Sequence, residues 1–170
     1  MKRNTLLLAL IFVTALMSAQ KFAFVDTEYV LNKVPAYESA QDQLDQVSQR
    51  WQQEVDALMD EVKTLYKNYQ NDLVFLSDEM KVKRENAIVT KEQEATELRK
   101  TYFGPEGELF KKRESLMKPI QDEVFDAVKA VASEGGYSVI YDKSSAMNVV
   151  YAAPALDVSE RVVEKLGYVE

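Results

Sequence analysis

Between Tyr37 and Leu76 every position along one helical seam is apolar: Tyr37, Ala40, Leu44, Val47, Trp51, Val55, Leu58, Val62, Leu65, Tyr69, Leu73 and Leu76. Eleven steps cover 39 residues, a period of about 3.55, between the 3.5 of a strict coiled coil and the 3.6 of a straight helix. An uninterrupted helix from Ala36 to Leu76 would run roughly 60 Å at 1.5 Å per residue, longer than a globule of this size is wide. Such a chain builds an arm, and its supercoiling should be weak and left-handed.

The arm has to return, because apolar strand-like runs flank it. Phe22 to Val25 precedes it, while Tyr137 to Tyr141 and Asn148 to Ala152 follow it, each rich in Val, Ile, Tyr or Phe and bounded by turn formers. The turn is placed near residue 77, where Ser77 or Asp78 can cap a new helix and Asp78 and Glu79 suit its positive end. That register pairs residue 36 with residue 118, and Pro119 then marks a bend where the return helix leaves the arm. The return stripe is sparse, formed by Val82, Ile88, Ala95, Leu98 and Tyr102. Gly104, Pro105 and Gly107, in the run Gly-Pro-Glu-Gly, kink the return helix, with Trp51 facing Phe103 and Gly104. After Pro154, Asp157 caps a last amphipathic helix bearing Val158, Val162, Val163 and Leu166 on its inner face.

The expected fold is therefore α+β and mostly α, with a helical hairpin arm over residues 36–118 and a small β-rich body from residues 20–35 and 119–170. Three short strands and one small helix cannot bury a core or close a sheet. Several copies assembling into one barrel-like body resolve this, with Phe22, Phe24, Val139, Tyr141, Val149 and Tyr151 as its candidate core.

Leu6 to Met17 is apolar apart from Thr14, follows Lys2 and Arg3, and ends in Ser18 and Ala19. It reads as a secretory signal over residues 1–19, cleaved near Ala19, since a spanning helix needs roughly 20 apolar residues. Without cysteine the chain has neither a disulfide nor a lipid-modified start nor a thiolate nucleophile. Losing Lys2 and Arg3 moves the formal charge from -7 to -9. Residues 36–62 hold seven acids against Arg50, and residues 119–170 hold nine against four bases, whereas residues 63–118 hold twelve bases and ten acids. No basic footprint for nucleic acid results. No histidine, phosphate loop or catalytic constellation is present, so no catalytic, cofactor or metal residues are assigned and an enzyme is not expected.

The layout resembles the Skp/OmpH family of periplasmic chaperones along the whole mature chain. The first strand and following helix (KFAFVDTEYVLNKVPAY) carry it, and so does the stretch AVKAVASEGGYSVIYD, followed by a further strand and by Asp157-Val158-Ser159 opening the last helix. The resemblance implies a homotrimer in the periplasm, whose β-barrel body projects three arms around a cavity that holds unfolded outer-membrane proteins without ATP. The familiar members are basic and lack the Gly-Pro-Glu-Gly interruption, so no lipopolysaccharide site is carried over; transient membrane association is retained among the partner classes.

A holding chaperone needs dilute, adaptable apolar contacts. Tyr66, Tyr69, Val74 and Phe75 on the outgoing helix, with Met80, Phe103 and Phe110 on the return, are the candidates. Many weak contacts would hold a client by avidity while each remains easy to release. The alternative is a periplasmic adaptor or spacer that docks a folded envelope partner through its arm tip, where Lys81, Lys83 and Arg84 cluster.

Overall fold

The computed structural model describes residues 21–145 and 149–168. The apolar leader over residues 1–19 and Asn148 lie outside the described residues. The chain divides into two compact units: Pro35–Gln121 forms one, and residues up to Val34 together with those from Asp122 onward form the other.

The first unit is a helical hairpin. Helix α2 (Pro35–Asp72) goes out and α3 (Asp78–Phe103) returns. Seam positions from Tyr37 to Tyr69 are all buried or half-buried, with Ala40, Leu44, Val55 and Val62 the deepest. On α3 only Ile88 and Ala95, seven residues apart, are buried, and Val82 of the expected stripe is exposed. Pairing is antiparallel: Tyr69 meets Glu85, Lys91 meets Glu61 at 3.3 Å, and Trp51 meets Tyr102.

The outgoing helix stops four residues short of the expected Leu76. Leu73–Phe75 tighten into a 3-10 turn, Leu76 is extended, and Ser77 accepts a hydrogen bond from the Met80 amide at 3.3 Å to cap α3. The cap explains the early stop. An N-cap residue is itself extended, so the chain has to leave helical geometry before it.

At the other end of α3 the helix closes on Gly104 and α4 (Glu108–Gly135) begins four residues later. A side chain at Gly104 would collide with the Lys100 carbonyl oxygen, and one at Gly107 would lie 2.7 Å from the Tyr102 carbonyl oxygen and 2.8 Å from the Gly104 nitrogen. The break is thus written by the two glycines. Helix α4 runs through Pro119, which lies inside the helix and does not end it. Pro119 and Ser115 are exposed, so the carbonyl that proline leaves unpaired remains in water.

The second unit is built on two parallel strands, β1 (Lys21–Val25) and β2 (Tyr137–Asp142), in the register Phe22↔Val139, Ala23↔Ile140 and Phe24↔Tyr141. Gly136, at φ 65°, makes the left-handed step from α4 into β2 that other residues adopt only with strain. Helix α1 (Thr27–Asn32) follows β1, capped by Asp26, and α5 (Ser159–Leu166) closes the chain. Ala23, Val25, Val30, Val34, Val124, Ala127, Val131, Val158, Val162 and Val163 are its buried apolar residues.

The third strand expected at Asn148–Ala152 is not there: Val149–Ala152 is irregular, with Val150 99% exposed. What reaches the free side of β1 is Asp157, bridging to Phe24, with the Val158 amide donating to the Phe24 carbonyl at 2.8 Å. A β-prone run forms a strand only where an edge is offered to it, and here side-chain chemistry around Asp157 claims that edge.

Candidate functional site

Three surfaces carry the candidate residues, and they differ in how much of their apolar area the chain itself covers.

The first is the turn of the hairpin. Val74 and Phe75 are 83% and 84% exposed, and Met80 in the first turn of α3 is 47% exposed. Leu73 and Val82, which sequence periodicity assigns to packing, join them as exposed residues. Leu73 escapes the stripe because helical spacing assumes that the helix continues, and α2 ends at Asp72; Val82 lies within α3, which buries only Ile88 and Ala95. Below the turn Tyr66 is 52% exposed, whereas Tyr69 is half-buried and its hydroxyl donates to Glu85 on the facing helix. That bond, the main cause, raises the Tyr69 phenol above its ordinary value, because losing the proton would put two negative charges side by side. Tyr69 therefore closes the hairpin and Tyr66 faces water.

The second surface surrounds the helix break. Trp51 stacks on Tyr102, rings 4.7 Å apart and 8° from parallel, and Tyr102 in turn meets Phe103 edge-on at 6.3 Å. The expectation placed Trp51 against Phe103 and Gly104; the partner is one residue earlier. The Tyr102 hydroxyl donates to Glu54 at 2.5 Å, a bond that raises its phenol in the same way. Glu54 lies three residues beyond Trp51 on α2, so one tyrosine grips both. Phe103 is half-buried, and Phe110, past the break, is 53% exposed.

The third is the sheet. Strand alternation sends Ala23 and Val25 inward, 0% and 3% exposed, and turns Phe22, Phe24, Val139 and Tyr141 to the opposite face. Phe22 and Phe24 meet edge-on at 6.0 Å, and Phe24 and Tyr141 lie 5.8 Å apart. Phe22, Val139 and Tyr141 are all about half exposed. Within one chain this row is surface, not core. Val149 is half-buried and Tyr151 is 80% exposed in the irregular segment that follows.

A polar network at the C-terminal end of the strands holds that unit together, and nothing in the sequence pattern announced it. Lys143 Nζ bonds Asp157 Oδ2 at 2.7 Å and lies 3.6 Å from Asp26 Oδ2. Ser159, buried, accepts from the Asp26 amide at 2.8 Å and donates to Asp157 Oδ1 at 2.5 Å. Beside it Thr27 Oγ1 donates to Asp142 Oδ2 at 2.7 Å. Partial burial pushes Asp157 up, but Lys143 and Ser159 outweigh it and hold the carboxyl below its ordinary value; Thr27 and Ser144 do the same for Asp142. Every group in this network is used in bonding the chain to itself. Among the described residues no cluster of carboxylates suits a metal ion.

A long hairpin with apolar residues left bare along it, beside a small unit that shows an aromatic sheet face, is the build of a binding protein. Comparison with known proteins agrees. Residues 21–166 match the family model described as "Outer membrane protein (OmpH-like)". The "Chaperone protein Skp" of Yersinia enterocolitica is 26% identical over 155 residues, covering 90% of each chain. The crystal structure of a putative outer membrane chaperone (OmpH-like) from Caulobacter crescentus superposes with a TM-score of 0.68 at 13% identity, over 88% of this chain and 85% of that one. The chain belongs to the OmpH/Skp family of outer membrane protein chaperones, which are not enzymes.

Proposed function

We propose that this protein is a periplasmic holding chaperone, exported by a signal cleaved near Ala19, that binds unfolded outer-membrane proteins and keeps them from aggregating without ATP. The observation that carries this reading is the exposure of Tyr66, Val74, Phe75, Met80 and Phe110, each about half exposed or more, along a hairpin that buries little of its own. Together with Tyr69 and Phe103 they offer an unfolded chain many weak, adaptable contacts, whose joint strength comes from simultaneous engagement. Tyr69 and Phe103 contribute least, being half-buried.

The arm in this reading is residues 36–118, with its tip near residue 77, and the body is residues 20–35 with 119–170. The bare row of Phe22, Phe24, Val139 and Tyr141 supports assembly of several copies, since an exposed aromatic sheet face is costly to leave in water. In this reading the number of copies is three, as the family resemblance implies, with a cavity between the arms to receive the client. Val149 and Tyr151 would be covered in the same assembly.

The test is dilution of a urea-unfolded outer-membrane β-barrel protein into buffer with and without this chaperone, followed by turbidity. Equimolar assembled chaperone should suppress the turbidity, and Tyr66→Ala with Phe75→Ala should weaken suppression with helix content unchanged. Unaltered aggregation in the presence of the intact protein would overturn the reading. Capture of one folded partner without suppression would instead identify an adaptor.

A further inference from the structure

A strand with an open edge offers its amides and carbonyls to any extended chain that meets it. In the strand unit β1 has β2 on one edge. On the other edge lie residues 157–159, which are not a strand. Asp157 makes a single parallel bridge to Phe24, the Val158 amide donates to the Phe24 carbonyl at 2.8 Å, and Ser159 Oγ accepts the Asp26 amide at 2.8 Å. The chain then enters α5 at once. The edge is therefore covered by a segment only three residues long, which the helix behind it keeps from lengthening into a strand.

The two ends of this cover are anchored differently. Downstream, Val158, Val162 and Val163 are buried in the unit. Upstream, none of residues 149–156 is buried, and Val150 and Tyr151 stand almost wholly in water. What holds Asp157 from that side is a cation. Lys143 Nζ lies 2.7 Å from Asp157 Oδ2 and 3.6 Å from Asp26 Oδ2, while the Lys143 amide donates to the Val25 carbonyl at 2.8 Å. One residue thus ties the end of β1, through its backbone, to the cover, through its side chain. The remaining Asp157 oxygen accepts the Ser159 amide at 2.9 Å and its hydroxyl at 2.5 Å, which fixes the carboxylate where the lysine meets it.

We propose that Lys143 and Asp157 form a latch that keeps residues 157–159 over the free edge of β1 and denies that edge to extended polypeptide. The segment it excludes is a parallel, β-prone strand of the kind β1 already pairs with in β2. This device does not depend on client holding, and its test contains no client.

The test combines residue-resolved hydrogen exchange on the full mature protein with binding of a fluorescein-labelled peptide that copies Tyr137–Asp142, followed by anisotropy. In Lys143→Met the Asp26 and Val158 amides should exchange about three- to tenfold faster, as the loss of one partly exposed charge-assisted bond allows. The Val30 amide in α1 and the Val131 amide in α4 should keep the parent rate. Peptide affinity should rise by the same factor, because apparent affinity scales with the fraction of molecules whose edge is open. Lys143→Arg, which keeps the cation, should behave as the parent in both measurements. Parent-like exchange at Val158 in Lys143→Met overturns the proposal. So does an equal rise at all four amides, which would make the lysine a general stabiliser of the unit. Faster exchange at the edge with unchanged peptide affinity also overturns it, since the opened edge would then accept no strand.

Discussion

The hairpin unit and the strand unit use the same apolar residue types to opposite ends. Among the described residues, the 87 of Pro35–Gln121 bury seven apolar side chains, whereas the 58 of the other unit bury ten. Five of those ten are Val30, Val34, Val158, Val162 and Val163, on or next to two short helices that would not be stable alone. The strand unit is therefore where cooperative stability is stored. The hairpin is a two-helix layer with one dense seam, and its distal side chains are left for others to cover. A protein that must grip unlike partners benefits from that division, since surface committed to a core cannot adapt.

The contrast is sharpest if one substitution is made in both places. Val162→Asp should unfold the strand unit, at a cost above about 4 kcal/mol for an unpaired buried charge. Phe75→Asp should change stability by less than about 0.5 kcal/mol, as expected of an exposed site. Urea denaturation followed by circular dichroism reads both, and similar costs at the two sites would erase the distinction.

Gly107→Leu probes the helix break, where backbone is crowded around both glycines. The added side chain meets the Tyr102 carbonyl and Gly104 nitrogen, so a loss of roughly 1–3 kcal/mol is expected. Trp51 emission should shift as Tyr102 moves, and an unshifted spectrum would detach the tryptophan from the break. Trp51→Leu keeps the seam apolar and removes only the stack on Tyr102, for an expected loss of about 0.5–1.5 kcal/mol.

The smallest effect is a pH dependence of the strand unit. Asp142 and Asp157 titrate below their ordinary 3.8, so their contribution is present above about pH 4 and is lost as pH falls through their lowered values. Lys143, raised above 10.5 chiefly by its bond to Asp157, contributes below that pH, and the contribution is lost as pH rises through its raised value. Lys143→Met should lower stability at pH 7 and change it less at an acid pH below the lowered value of Asp157. Equal losses at both values would mean that the lysine matters only for packing.

The outline of the hairpin was legible because its signal is local. A seam repeating every three or four residues needs no knowledge of distant chain, and Ser77 carries its capping chemistry with it. The same locality caused the errors. Helical spacing carried the outgoing helix on to Leu76 and Val82 into the return stripe, because periodicity does not register where a turn has to begin. Trp51 was placed against Phe103 instead of Tyr102, one residue of helical phase away. The third strand failed for a different reason. Asn148–Ala152 has the residues of a strand, yet the free side of β1 is taken by Asp157, through bonds to Lys143 and to Ser159, which also holds the Asp26 amide 133 residues away. Such long-range polar networks leave no periodic trace. The candidate contact residues were only partly readable for the same cause: exposure separates Tyr66 from Tyr69, three residues apart, and only Glu85 on the facing helix decides which is which.

The most direct measurement is the light-scattering mass of the mature protein, alone and after mixing with a urea-diluted outer-membrane β-barrel protein. A trimer that gains the mass of one client and stays soluble is the expected result. A monomer, or an assembly that leaves the client aggregating, would contradict it.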